Sequence, residues 1–214
     1  MSLVKEPTAP GMALRTSVIL FVFVIVFTAF LSGAFQLTRP AIEASVAEEK
    51  MRTINEVLPP SLYDNPLLGD TLTLPPTAEL GQDEASTVYR ARKAGQPAAL
   101  VLEAVAPDGY AGKLRLLIGI AADGSLTGVR VTQHKETPGL GDYIDPKKDK
   151  DKAHPWIHQF TGLSFALRPE KDWKVKKDGG RFDSHTGATI TPRAVIKATR
   201  KALAYANAHR EQLF

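Results

Sequence analysis

The sequence contains no cysteine among its 214 residues, and this absence limits the chemistry open to it. Without thiols the chain cannot hold an iron–sulfur cluster through cysteine, attach a c-type haem or form a disulfide. The net charge is only +4 at pH 7, and the basic residues are spread out, which argues against nucleic-acid binding. With 43% hydrophobic and 23% charged residues, the composition is that of a folded protein. An electron carrier of this composition would have to hold its cofactor by means other than cysteine.

One long stretch lacks charge altogether. Residues 17–35 are rich in Val, Ile and Phe, and as a helix they would be roughly 28 Å long, close to the ~30 Å of a bilayer core. A cleaved signal peptide is the alternative, because Ser32-Gly33-Ala34 could be its cleavage site, but a signal core has only about 7–15 residues. We therefore predict an N-terminal segment of residues 1–16 and a transmembrane helix over 17–37. Lys and Arg flank this helix on both sides, so charge does not fix its orientation.

A second helix is predicted to begin at Pro40 and to end at Pro59-Pro60, within a connecting segment of residues 38–60. Apolar residues recur along one side of it: Ile42, Val46, Ile54, Val57 and Leu58. We expect this side to pack on the domain that follows, and a partner subunit is the alternative. That domain is predicted to span residues 61–214 and to open with an irregular connector over 61–82.

Strand patterns occupy the sequence from residue 87 to residue 133. Residues alternate over 87–92 and 98–105, residues 113–121 are strongly apolar, and 126–133 return after an Asp123-Gly124 turn. Strands joined by short turns predict an antiparallel sheet. The predicted fold class is therefore α+β, with a single N-terminal transmembrane helix followed by a domain in which helices flank an antiparallel sheet.

The stretch from Phe182 to Pro192 brings four hydroxyls, one carboxylate and one imidazole into a short loop. We predict Thr191 as the N-cap and Pro192 as the first residue of a helix reaching about residue 208. A helix start offers free N–H groups and the positive end of the helix dipole. The residues alone therefore allow either an anion or phosphate site or a capped turn without a binding role. A hydrolase site at Ser184-His185 is disfavoured, because adjacent residues rarely form a nucleophile–base pair.

Neither a metal site nor a catalytic residue is predicted. His154 and His158 are four residues apart, but Pro155 and Trp156 lie between them and no third ligand is evident. We also find no Gly-x-Gly-x-x-Gly after a strand, so a dinucleotide site is not expected.

The segment Asp183–Thr189 resembles the flavinylation motif, Asp-x-x-(Ser/Thr)-Gly-Ala-(Thr/Ser), of the FMN-binding domain family. In that family a flavin transferase joins the phosphate of FMN to the last hydroxyl of the motif through a phosphoester. The resemblance implies FMN covalently attached to Thr189. The other motif positions are implied to serve recognition and cofactor binding: Asp183, Thr186, Gly187 and Ala188.

A second segment, His134–Gly141, resembles the Glu-Thr-Pro-Gly-Leu-Gly block found upstream in the same family. It would form another wall of the cofactor site, with glycines that let the backbone approach the flavin and N–H groups that bond it. Further cofactor-binding residues are therefore expected at Glu136, Thr137, Gly139, Leu140 and Thr191. Four aromatic residues could cover a flavin ring or belong to the core: Trp156, Phe160, Trp173 and Phe182.

The two blocks, in this order behind one membrane anchor, most resemble the G subunits of Rnf electron-transport complexes. The C subunits of sodium-pumping NADH:quinone reductases are close relatives and the first alternative, and a membrane-anchored FMN-binding sensory or regulatory module is the second. The resemblance implies an electron-carrying subunit without activity of its own, in a complex coupling electron transfer between ferredoxin and NAD to ion translocation. The implied partners are the other subunits of that complex, a flavin transferase and the membrane. The implied location is the bacterial inner membrane, single-pass, with the C-terminal domain in the periplasm.

Overall fold

A computed structural model describes residues 9–214 of the chain. The chain divides into two compact units, the first ending at Glu49 and the second running from Lys50 to Phe214. Of the predicted N-terminal segment, residues 1–8 lie outside the described residues, and residues 9–16 are already helical.

The first helix, α1, spans Ala9–Asn55. Its large apolar side chains from Met12 to Leu37 are each at least 50% exposed, and α1 is long and apolar enough to cross a membrane. The separate helix predicted to begin at Pro40 does not exist, because Pro40 lies inside α1. Proline removes one N–H from the helical ladder, but its fixed φ is helical, so the residues around it keep the helix continuous.

The second unit is built on a five-stranded sheet in which every neighbouring pair is antiparallel and the spatial order follows the chain. The strands are β1 (Thr71–Leu74), β2 (Ser86–Lys93), β3 (Gln96–Gly109), β4 (Gly112–Ala121) and β5 (Leu126–Gln133). The predicted antiparallel sheet and the α+β class are confirmed. β1 was not predicted, since it lies in the stretch expected to be irregular.

Helical segments cover both faces of this sheet. On one face lies α2, Ile190–Ala208, followed by the short α3, Arg210–Leu213. The other face is covered by the end of α1 and the residues after it, where Ile54, Val57 and Leu58 are buried. Part of the predicted apolar side therefore packs on the domain, whereas Ile42 and Val46 are exposed.

Between β5 and α2 the chain forms loops with four short 3-10 turns, at residues 142–144, 156–160, 170–172 and 176–178. The aromatic residues proposed as covers for a flavin ring are all buried in the main core: Trp156, Phe160, Trp173 and Phe182. They pack closely on one another, with the Phe160 and Phe182 ring centres 4.8 Å apart. These rings therefore anchor the loops that precede α2.

Candidate functional site

The start of α2 differs from its prediction by two residues. The helix begins at Ile190 with Thr189 as its N-cap, and Pro192 is the third helical residue. Thr191, predicted to cap the helix, is only 2% exposed, and its hydroxyl donates to Oε2 of Glu136 at 2.7 Å. Thr189 is half-buried, and its side chain makes no capping hydrogen bond.

The start of α2 has free N–H groups that directly follow Thr189 in the chain. The first N–H groups of a helix have no acceptor within it, and here they belong to Ile190 and Thr191, because Pro192 has none. The helix dipole adds to their partial charge. A negatively charged group attached at Thr189 would therefore be stabilised.

Tyr143 holds the loop before α2 in place. Its hydroxyl donates to the backbone oxygen of Ala188 at 3.0 Å and accepts from the N–H of His185 at 3.2 Å. Its ring stacks on the imidazole of His185, with centres 3.9 Å apart. Burial raises the pKa of the Tyr143 phenol, so the hydroxyl keeps the proton that it donates.

Asp183, at the other end of the loop, is held through its backbone. Trp156 donates its indole N–H to the Asp183 oxygen at 2.6 Å, and the Asp183 N–H donates to Oε1 of Gln159 at 2.8 Å. The Asp183 carboxylate is exposed and pairs with Lys176. The motif backbone is therefore fixed while its carboxylate faces solvent.

The middle of the loop is open. Thr186 and Gly187 are both exposed. Gly187 has φ +84°, a conformation that favours glycine, and a Cβ added there would meet no atom within 4 Å. The motif glycine therefore serves the turn of the backbone and not a close contact.

The second block folds into a self-bonded turn. The N–H groups of Leu140 and Gly141 both donate to the Thr137 oxygen at 3.1 Å, and the Gly139 N–H donates to Oδ1 of Asp142 at 2.8 Å. All three groups therefore have acceptors within the turn, contrary to our expectation that they are available to a cofactor.

Glu136 joins this turn to two other elements. It is buried, with Oε1 accepting from the Ala111 N–H at 3.1 Å and Oε2 accepting from Thr191. A Cβ at Gly141 would lie 2.7 Å from Oε2, so this glycine leaves room for the carboxylate. Glu136 thus fixes the β3–β4 turn and the second block against α2.

The two motif blocks meet at a groove of about 100 Å³. It is lined by Tyr110 of the β3–β4 turn, by Glu136, Thr137, Leu140 and Gly141, and by Gly187, Ala188, Thr189, Ile190 and Thr191. Of the residues predicted for the site, Asp183, Thr186 and Gly139 do not line it.

Three side chains give the groove an apolar rim. Tyr110, Leu140 and Ile190 are 64%, 46% and 47% exposed. Tyr110 and Ile190 were not predicted as site residues; the only sequence signal for Tyr110 is its position between Gly109 and Gly112. Sites that enclose drug-sized ligands measure about 300–1,000 Å³, so this groove can accept only part of a flavin.

The two histidines considered as metal ligands have other contacts. Nε2 of His158 lies 3.1 Å from an Arg130 guanidinium nitrogen, and Nδ1 of His154 lies 3.8 Å from Asp151. Burial, followed by the charge of Arg130, lowers the pKa of His158. Within residues 9–214 no group of three or more potential ligands is arranged to hold a metal.

Two known families match this chain, and their matched ranges include the site and α1. The FMN-binding domain family matches residues 109–204, a range that contains both motif blocks and the whole lining of the groove. The RnfG N-terminal region matches residues 9–57, which include all of α1.

Three relatives, each named as the G subunit of an ion-translocating oxidoreductase complex, match almost the whole chain. The Vibrio cholerae serotype O1 (strain M66-2) protein is 42% identical over 199 residues, 93% of this chain and 92% of the relative. The Pseudomonas aeruginosa (strain UCBPP-PA14) protein is 45% identical over 201 residues, 94% and 91% of the two chains. The Shewanella baltica (strain OS223) protein is 39% identical over 201 residues, 94% and 92%.

These matches confirm the resemblance found in the sequence, and together with α1 they identify a membrane-anchored subunit of an enzyme complex. They also confirm FMN as the cofactor class, since the flavin motif lies inside the matched domain. The chain belongs to the family of G subunits of ion-translocating oxidoreductase complexes and carries that family's FMN-binding domain.

Proposed function

We propose that this chain carries electrons through an FMN joined by its phosphate to Thr189. The observation that carries the proposal is the state of the Thr189 hydroxyl. Thr189 occupies the attachment position of the motif and lines the groove between the two blocks. It is the N-cap residue of α2, but its hydroxyl makes no capping hydrogen bond. The neighbouring hydroxyl of Thr191 is already bonded to Glu136.

The proposed bond joins Thr189 Oγ1 to phosphorus. As this bond forms, the bond between the phosphorus of the flavin donor and its leaving group breaks. The leaving group departs with the electron pair of that bond and takes up the proton that the hydroxyl loses. The resulting phosphodiester carries one negative charge, which a helix start stabilises by about 0.3–1 kcal/mol when exposed. The N–H groups of Ile190 and Thr191 would supply that stabilisation.

FMN supplies reversible electron transfer at its ring system, and the protein positions it. The apolar rim of Tyr110, Leu140 and Ile190 offers a surface for one face of the ring. Because the groove is small, we expect most of the ring to stay outside it. A covalent tether makes tight ring binding unnecessary, since it provides a local concentration on the order of mM.

The exposed part of the motif fits recognition by a flavin transferase. Tyr143 and Trp156 fix the loop backbone, while the side chains of Asp183 and Thr186 remain accessible. A flavin transferase can therefore contact the motif side chains in the folded domain. Thr189 is the last residue of that motif.

At the level of the complex, we propose coupling of electron transfer between ferredoxin and NAD to ion movement, with the other Rnf subunits as partners. The names of the relatives support an ion-translocating oxidoreductase. We further propose that residues 1–16 are cytoplasmic, 17–37 span the membrane, 38–60 connect, and 61–214 form the periplasmic domain. The compact unit already begins at Lys50, so the end of α1 belongs to the folded domain.

The attachment is tested by co-expressing the chain with a flavin transferase and measuring fluorescence that stays with the denatured polypeptide. We expect fluorescence in the parent and in Thr191→Ala, weaker but detectable fluorescence in Thr186→Ala, because the transferase loses a motif hydroxyl, and none in Thr189→Ala. Intact mass should show one FMN adduct. A bare polypeptide isolated from its native membrane, or fluorescence that survives Thr189→Ala, would contradict the proposal.

Orientation can be tested separately, because the chain has no cysteine of its own. A membrane-impermeant maleimide added to cells with a permeabilised outer membrane should label Lys93→Cys, which lies on an exposed part of the domain. It should not label Ser2→Cys. The reverse pattern would place the domain in the cytoplasm.

A further inference from the structure

A second groove, of about 550 Å³, lies along α2. One wall consists of Arg193, Lys197 and Arg200, which share a face of the helix and span about 10 Å of its length. The helix has no acidic residue. Arg193 lies in its first turn, where the helix dipole disfavours a cation, so helix stability does not explain this charge.

The opposite wall belongs to the loop of residues 170–178 and adds Lys171 and Lys174. The helix cations have ion-pair partners: Asp178 for Arg193, Asp108 for Lys197 and Glu170 for Arg200. Lys171 and Lys174 have no carboxylate within 4.0 Å among residues 9–214. Five cations in the groove therefore face three carboxylates, Asp108, Glu170 and Asp178, which leaves a net charge of +2.

The form of the groove favours an extended anionic partner over a small one. A phosphate site needs donors that converge on one point, whereas these cations are distributed along two turns of helix. The floor, Trp173 and Ile196, is 3% and 1% exposed and offers no free ring for a base to stack on. Carboxylates spaced along a protein surface fit this pattern, and such complementarity steers transient redox encounters.

We infer that this basic groove docks an acidic surface segment of a neighbouring electron-carrying subunit in the same complex. Arg193, which lines the groove, donates its N–H to the Thr189 oxygen at 3.2 Å, so the groove reaches to within one helical turn of the proposed attachment residue along α2. The role of the partner rests on the proposed function, but the docking itself needs no flavin.

The direct test is zero-length carbodiimide cross-linking of the assembled complex, followed by peptide mass spectrometry. We expect Lys171 and Lys174 to form amide bonds with Asp or Glu of another subunit. Lys148 and Lys150, two exposed lysines of a separate loop, are the internal control. Cross-links from Lys171 and Lys174 that stay within the chain, or reach other subunits no more often than the control lysines, would overturn the inference.

Charge reversal provides an independent measurement. Full-length Lys171→Glu/Lys174→Glu should associate with the complex lacking this subunit at least about tenfold more weakly at low ionic strength, with a smaller salt dependence. The matched variant Lys148→Glu/Lys150→Glu should behave as the parent. Equal association of the two double variants would refute docking at this groove.

Protection of Lys171 and Lys174 from acetylation by millimolar inorganic pyrophosphate, in the isolated chain, would assign a small anion instead. Flavin-free Thr189→Ala should still dock, so failure of attachment and failure of docking are distinguished.

Discussion

Thr189 and Thr191 stand two residues apart where α2 begins, yet the fold uses their hydroxyl groups in opposite ways. Thr189 is partly exposed and makes no capping bond, whereas Thr191 is buried and donates to Glu136. A hydroxyl that holds the fold together is not available for modification. The comparison supports the proposal that Thr189 is the attachment residue, whereas the Thr191 hydroxyl connects the two motif blocks through Glu136.

The same contrast divides the whole site. Its exposed half is accessible to an enzyme and consists of Asp183, Thr186 and Gly187, together with the half-buried Thr189. Its anchored half is buried and consists of Glu136, Gly141, Tyr143 and Thr191. We expect substitutions in the exposed half to change flavin attachment and those in the anchored half to lower stability, with attachment also slowed where the side chain holds the motif loop, as Tyr143 does.

The largest expected effect comes from replacing each threonine by valine, which keeps the shape and removes the hydroxyl. Thr189→Val should abolish flavin attachment and change the free energy of unfolding by less than about 0.5 kcal/mol. Thr191→Val should retain the flavin and lose about 1–3 kcal/mol, because Oε2 of Glu136 is left buried without its donor. Thermal unfolding of protein made without the transferase measures the stabilities. Equal losses of stability would contradict the division.

Gly141→Ala should cost about 1–3 kcal/mol, because the new Cβ would lie 2.7 Å from Oε2 of Glu136. The clash has a specific partner, so a double-mutant cycle can identify it. In a Glu136→Ala background the added methyl should cost much less. If Gly141→Ala costs the same in both backgrounds, the carboxylate is not what requires glycine there.

The limits of sequence reasoning are clearest at the same residues. Periodicity located β2, β4 and β5 within one residue at each end, but it ended β3 at residue 105, four residues before Gly109. β1 was missed because it is a four-residue edge strand beside Pro75 and carries too short a pattern. Thr189 and Thr191 offer identical capping chemistry locally. Only the bond to Glu136, 55 residues away in the chain, decides which of them caps the helix. Long-range contacts of this kind leave no local signal, and the apolar rim around Tyr110 is another example.

Tyr143→Phe should lose about 1 kcal/mol of stability and slow flavin attachment, because the loop loses both hydrogen bonds of the hydroxyl. The matched control is Tyr63→Phe, which removes a hydroxyl that donates to Asn55 at 2.7 Å, away from the loop. It should lose similar stability and leave the initial rate of flavin incorporation unchanged. If flavin incorporation had the same initial rate in Tyr143→Phe and Tyr63→Phe, the Tyr143 hydroxyl would contribute to stability and not to attachment.

Lys176→Ala is expected to have the smallest effect. Its ammonium pairs with the Asp183 carboxylate, but the two side chains are 62% and 63% exposed, and solvent screens such a pair. We expect the free energy of unfolding to change by less than about 0.5 kcal/mol, and by still less at high salt. Asp183→Ala should be equally mild for stability, yet should reduce the rate of flavin incorporation, because the transferase loses a motif carboxylate. A loss of stability above about 1 kcal/mol in Lys176→Ala would mean that the ion pair holds the loop. The exposed half would then also stabilise the fold, and the two halves could not be distinguished by the effects of their substitutions on stability and on flavin attachment.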